Sequence, residues 1–258
     1  FENIRQYNKW VASTTRTFWE NPIFGLFPNP IPSTLAAWGK VTEHSLSRIT
    51  SKPDWGIDSV ISEGVEYLVA LETIKELPFC NLIKFKSTRT KKINRKVLII
   101  APMSGHYATL TRNTVISLLP NCDVYVTDWK NAGDVPFSEG KFDIEDFTNY
   151  LVDFYRDLSP DLNVMAVCQP APLALAASAI TSEKSPKFNP KSLTLIGGPI
   201  DPDANPTDVT DFGHRTSMEA LETTVTMPVG LNYKGVGREV YPGAIQLASF
   251  MAMNKETH

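Results

Sequence analysis

Apolar residues recur with three different rhythms along this 258-residue chain. Up to about residue 50 the spacing is helical. Leu35, Ala36, Trp38 and Val41 fall on one stripe within residues 34–50, and Ser33, directly after Pro32, offers an N-cap. The proline cluster Pro28, Pro30 and Pro32 reads as a rigid loop ahead of that helix. In residues 65–86 the rhythm changes. Val65, Tyr67, Val69 and Leu71 alternate with Glu66, Leu68, Ala70 and Glu72, and Pro78 separates this run from Leu82, Ile83 and Phe85. That pattern predicts two antiparallel strands joined by a turn. From residue 97 onward short apolar runs alternate with helical stripes. Strands are predicted over 97–101, 123–127, 163–167 and 192–196, and helices over 107–119, 144–158 and 173–180. The run Val97-Leu-Ile-Ile-Ala101 has no polar alternation, as expected of a strand covered on both faces. After Gly197 the regularity fades among Pro199, Pro202, Pro206, Pro228 and Pro242, with one more helix predicted over 244–253.

Strands alternating with helices of this length form a parallel sheet with helices on both faces. An antiparallel hairpin ahead of such a sheet is the arrangement of the α/β-hydrolase fold. The pattern divides the chain into a helical segment (1–60), an α/β core with six strands (61–200) and an irregular, proline-rich region (201–258).

In an open parallel sheet, reactive groups sit beyond the carboxyl ends of the strands. After 163–167 comes Ala166-Val-Cys-Gln-Pro170, a strand-to-helix junction with the geometry demanded of a nucleophile elbow. Ala166 is small enough for the close approach of strand and helix. Pro170 replaces the usual second glycine, and proline is tolerated in a first helical turn, whose N–H groups are free anyway. Cys168 is therefore the candidate nucleophile, placed at a helix N-terminus. After 97–101 comes Pro102-Met-Ser-Gly-His-Tyr107, the loop that contributes one oxyanion-hole N–H in this fold. The candidate donors are Ser104 or Met103, together with Gln169, the residue after the nucleophile. Ser104 as a nucleophile is the rival reading. It is disfavoured because the chain has no G-x-S-x-G and the loop position is wrong. His106 is read as a structural or substrate-contacting residue, and Asp128 and Asp201, which follow strands, as loop-orienting residues before catalytic acids.

Composition narrows the partners. Lys+Arg 25 against Asp+Glu 28 gives a net charge of −3, which supplies no attraction toward nucleic acid or an anionic membrane. The basic run Arg89, Lys91, Lys92, Arg95 and Lys96 reads as a solvated connection. Cys80, Cys122 and Cys168 include no CxxC pair, which suits reduced thiols in a cytosolic protein. His44, His106, His214 and His258 show no metal-ligand spacing, so neither a metal nor another cofactor is expected. The longest uncharged stretch, 162–182, contains Gln169, Pro170 and Pro172 and makes a poor membrane span, and residues 1–20 do not read as a signal peptide.

Five segments carry a resemblance: Ala101-Pro-Met-Ser-Gly-His-Tyr-Ala-Thr-Leu110, Val124-Tyr-Val-Thr-Asp-Trp129, Ala166-Val-Cys-Gln-Pro170, Leu193-Thr-Leu-Ile-Gly-Gly-Pro-Ile-Asp201, and Tyr241-Pro-Gly243 with Phe250-Met-Ala-Met-Asn254. The chain resembles the intracellular polyhydroxyalkanoate (poly-3-hydroxybutyrate) depolymerases along essentially its whole length. The related synthases also use a cysteine in a lipase-like box, but with flanking glycines where this chain has Ala166 and Pro170. The resemblance implies a carboxylic ester hydrolase that cuts stored polymer in the cytoplasm, at the granule surface, with Cys168 as nucleophile. It also implies an Asp and a His from later segments of the Gly-Glu-Asn-Asp and Gly-His-Tyr kind, which do not occur after residue 200. Only His214 and His258 follow Cys168, and Asp211 is too close in sequence to His214 to come from a separate strand end. The expectation is an intact protein longer than this chain. Its last sheet strands and a lid would follow residues 201–258, and its acid and base would come from that further segment or from a second chain. The alternatives are acyl transfer to a thiol, a synthase-like activity, or an inactive domain that only binds granules.

Overall fold

The computed structural model describes residues 2–21, 30–48, 52–90, 93–103, 107–243 and 245–246. It contains two compact units, Phe1–Pro53 and Asp54–His258.

Helix α1 (Glu2–Trp19) and helix α2 (Pro30–Arg48) form the first unit. Small residues let them approach closely. Ala12 and Ala36 are buried between them, and a Cβ on Gly39 would lie 2.8 Å from the Ala12 carbonyl oxygen. Arg16 Nη1 reaches Glu43 Oε2 at 2.7 Å across the pair. The predicted helix is thus present, but it starts at Pro30, upstream of the expected cap. Pro30 and Pro32 belong to its first turn, where a missing N–H costs nothing, and Ser33 lies within the helix.

The second unit is built on a seven-stranded sheet in the order β1-β2-β3-β5-β4-β6-β7. Strands β1 (Ser59–Ser62), β2 (Val65–Glu76) and β3 (Cys80–Ser87) pair antiparallel, and β3 runs antiparallel to β5 (Asp123–Trp129). Strands β4 (Lys96–Ile100), β5, β6 (Leu162–Val167) and β7 (Ser192–Ile196) are parallel. This is the mostly parallel α/β-hydrolase sheet expected from the sequence, with β1 added at its antiparallel edge.

Two cores flank the sheet. Leu98 and Ile100 of β4 face one of them, with Phe147, Leu151 and Phe154 of helix α4 (Ile144–Leu158) and Ala171, Ala174 and Ala177 of helix α5 (Ala171–Lys184). Val97, Ile99 and Ala101 face the other, with Val115 of helix α3 (Arg112–Leu118) and the adjoining Leu119. The unbroken apolar run of β4 follows directly from burial on both sides. Asp143 caps α4 by accepting from the Glu145 and Asp146 N–H groups, and Asp146 reciprocates, so this helix starts where its sequence says it should. The predicted helix over 107–119 instead opens as a 3-10 turn, Ala108–Thr111, in which the Thr111 hydroxyl donates to the Ala108 carbonyl.

Beyond β7 come helices α6 (Asp208–Arg215) and α7 (Met218–Val225) and a two-stranded ladder of β8 (Met227–Pro228) with β9 (Glu239–Val240). Two residues fasten this stretch to the loop after β5. Gly235 lies against the carbonyls of Ala132, Gly133 and Val135, where a Cβ would approach to 2.7–3.0 Å. Buried Arg238 donates to the Gly140 and Pro136 carbonyls at 2.6 and 2.8 Å and stacks over Phe79. Of the helix predicted over 244–253, all but Ile245 and Gln246 lie outside the described residues. No helix among the described residues is long and apolar enough to cross a membrane.

Candidate active site

Cys168 is the first residue after β6, and its φ is +66°. An L-residue pays about 1–3 kcal/mol to sit in this left-handed region, so the surrounding structure must hold it there. Two hydrogen bonds do so. The Cys168 N–H donates to the Ile196 carbonyl at 2.7 Å, and the Cys168 carbonyl accepts from the Ala171 N–H at 3.0 Å. Pro170 follows with φ −72° and ψ −5° and leads straight into α5. The result is a sharp turn whose cysteine side chain is exposed while Ala166 and Ala171 beneath it are fully buried.

The close approach at this turn involves a residue not singled out from the sequence. A Cβ on Gly198 would stand 2.1 Å from Ala171 Cβ and 2.7 Å from the Cys168 carbonyl oxygen. Gly198 therefore does for the turn what a glycine inside the box does elsewhere, but from the exit of the neighbouring strand. The only signal was the pair Gly197-Gly198 after β7, which reads simply as a tight turn.

The loop after β4 reaches the same place. The Met103 N–H donates to Gln169 Oε1 at 3.3 Å, joining the loop to the residue after Cys168. Its root is fixed from β5: the Ala101 N–H donates to Thr127 Oγ1 at 3.0 Å, and Trp129 Nε1–H donates to the Ala101 carbonyl at 2.9 Å. Thr127 and Trp129 are supporting residues that a linear reading had no means to pair with Ala101. Ser104, Gly105 and His106 lie outside the described residues, so of the expected oxyanion-hole set Met103 and Gln169 are brought beside Cys168.

The remaining polar candidates have other surroundings. Asp128 is buried in β5, opposite Asn81 of β3. Asp201 caps a turn, its Oδ1 accepting from the N–H groups of Asp203 and Ala204. His214 Nε2 lies 3.0 Å from Asp203 Oδ1, with both side chains exposed. Among the described residues no histidine or carboxylate hydrogen-bonds the Cys168 thiol. The arrangement presents an exposed thiol on a strained backbone turn, with the loop after β4 joined to the next residue.

Residues 197–258 match the family model described as PHB de-polymerase C-terminus. The motifs between residues 101 and 201 resemble the same family. No curated protein matches it. Among solved structures, the Francisella virulence factor BioJ is 13% identical with a TM-score of 0.39, over 73% of this chain and 58% of that one. A fungal esterase from Rhizomucor miehei is 17% identical with a TM-score of 0.40, over 67% and 55%. A hyperthermophilic esterase from the archaeon Pyrobaculum calidifontis is 16% identical with a TM-score of 0.38, over 59% and 52%. The chain spans little more than half the length of each.

Proposed function

We propose that this chain carries the nucleophile and oxyanion hole of a carboxylic ester hydrolase acting on poly(3-hydroxybutyrate) or a related polyhydroxyalkanoate. The observation that carries the proposal is the exposed Cys168 at φ +66° between a buried strand and a helix. Strain of this kind persists where rigid surroundings over-determine it, and it clusters at reactive sites. The family match over residues 197–258 favours a polyester substrate over other esters.

In this mechanism Cys168 gives up its proton to a general base, and its sulfur bonds to the ester carbonyl carbon. The carbonyl π electrons move onto oxygen. The N–H groups of Gln169 and of Met103 or Ser104 receive that charge, and preorganised donors of this kind are worth about 10²–10³ in rate each. Collapse breaks the carbon–oxygen bond and releases the next polymer unit as an alcohol, protonated by the same base. Water then cleaves the thioester. The base and its orienting carboxylate are supplied by a further segment or a second polypeptide, and His106 contacts the polymer. The working location is the surface of a cytoplasmic storage granule.

The test uses the protein with any segment or chain that copurifies with it. Release of 3-hydroxybutyrate oligomers from amorphous granules should fall to the blank in Cys168→Ala. Unchanged release would sink the assignment.

A further inference from the structure

The Gln169 side chain does something that its backbone role does not require. It reaches across the turn so that Oε1 accepts the Met103 N–H at 3.3 Å. These residues are 66 positions apart, and the contact joins the tip of the elbow to the loop expected to donate to the oxyanion. Oε1 is a carbonyl oxygen, the same chemical group as the acyl oxygen of an ester. It occupies a loop N–H at the turn that carries the exposed Cys168.

We infer that Gln169 is a positioning residue whose amide oxygen stands in for the substrate carbonyl, holding the Met103 N–H aimed at the site until an ester displaces it. This rests on the cysteine-nucleophile reading and deepens it. A backbone N–H at a loop tip is free to turn toward water, and an oxyanion hole works because its donors need no reorganisation when charge develops. The Gln169 amide is neutral, so it holds the donor without opposing the arrival of negative charge. A carboxylate in its place would hold the donor more firmly and repel the oxyanion.

The inference is separable from general effects on Cys168 by comparing two reactions of the same thiol. Acylation by the p-nitrophenyl ester of 3-hydroxybutyrate forms a sulfur–carbon bond through an oxyanion and expels p-nitrophenolate. Alkylation by iodoacetamide forms a sulfur–carbon bond and expels iodide without any oxyanion. Both consume the thiolate, so the ratio of their rates cancels its population and reports the hole. Rates of single-adduct formation at Cys168 are read by intact mass in the protein as purified, with the adduct located by peptide mapping.

In Gln169→Ala the ratio should fall about 10-fold or more, with alkylation unchanged. In Gln169→Glu it should fall further at pH 8. It should then rise as the pH is lowered to 5, because protonation of a carboxyl with an ordinary pKa of about 4.3 begins to neutralise the opposing charge. Equal ratios in the parent and both variants, with no pH dependence in Gln169→Glu, would overturn the role of Gln169 and leave the nucleophile reading standing. A parent protein that is alkylated but never acylated at Cys168 would overturn both.

Discussion

Residues 96–196 and residues 197–243 are held by different means, and the difference bears on where the chemistry sits. In the first region the central strands β4 and β5 are buried on both faces, and side chains such as Leu98, Ile99, Leu151 and Phe154 are completely buried. In the second, Phe212, Met218 and Leu231 are 61, 69 and 91% exposed, and attachment to the core runs through the backbone contacts of Gly235 and the buried guanidinium of Arg238. The turn that carries Cys168 lies where the two meet, since Gly198 both follows β7 and forms the floor of the elbow. A strained residue can be maintained there because the rigid side absorbs the strain.

The largest effect should come from opening the rigid region. Leu151→Ala removes a fully buried side chain between α4 and the sheet and should cost about 2–5 kcal/mol, read as a drop in the denaturation midpoint. Gly198→Ala should cost about 1–3 kcal/mol by overpacking, because its Cβ would fall 2.1 Å from another Cβ. It should also change the alkylation rate of Cys168, which Leu151→Ala should leave alone in the folded protein. Cys168→Gly removes the nucleophile but relieves the left-handed backbone, so it should stabilise the fold by about 1 kcal/mol. Loss of stability instead would show that the turn is not strained. The smallest global effect belongs to Arg238→Ala. It should barely move the denaturation midpoint, yet raise amide exchange across residues 227–240 several-fold, because this stretch opens independently of the core. A midpoint shift as large as that of Leu151→Ala would erase the distinction between the two regions.

Much of this was legible in the linear pattern, and the misses have identifiable causes. The continuous run at 97–101 and the Phe147, Leu151, Phe154 stripe were readable because burial on two faces and burial on one stripe leave different spacings. The elbow was readable because it compresses a strand end, a reactive residue and a helix-starting proline into five positions. Strand β1 escaped because four residues with serine at each end carry no periodicity, and it exists through pairing with β2. The start of α2 was misplaced because prolines that break a helix interior are harmless in its first turn.

Local rules of covering and turning left their mark in the order of residues. They set the α/β-hydrolase succession of elements, the parallel strands and the candidacy of Cys168. Pairing decided the rest. Gly198 matters because β7 runs parallel to β6 and delivers it beneath the elbow, and Thr127 and Trp129 matter because β5 lies beside β4. The Gln169 contact to Met103 likewise exists because β4 and β6 end side by side. These are meetings between residues 26 to 66 positions apart, and no short-range pattern encodes them, because the free energy that brings them together belongs to the packed sheet as a whole.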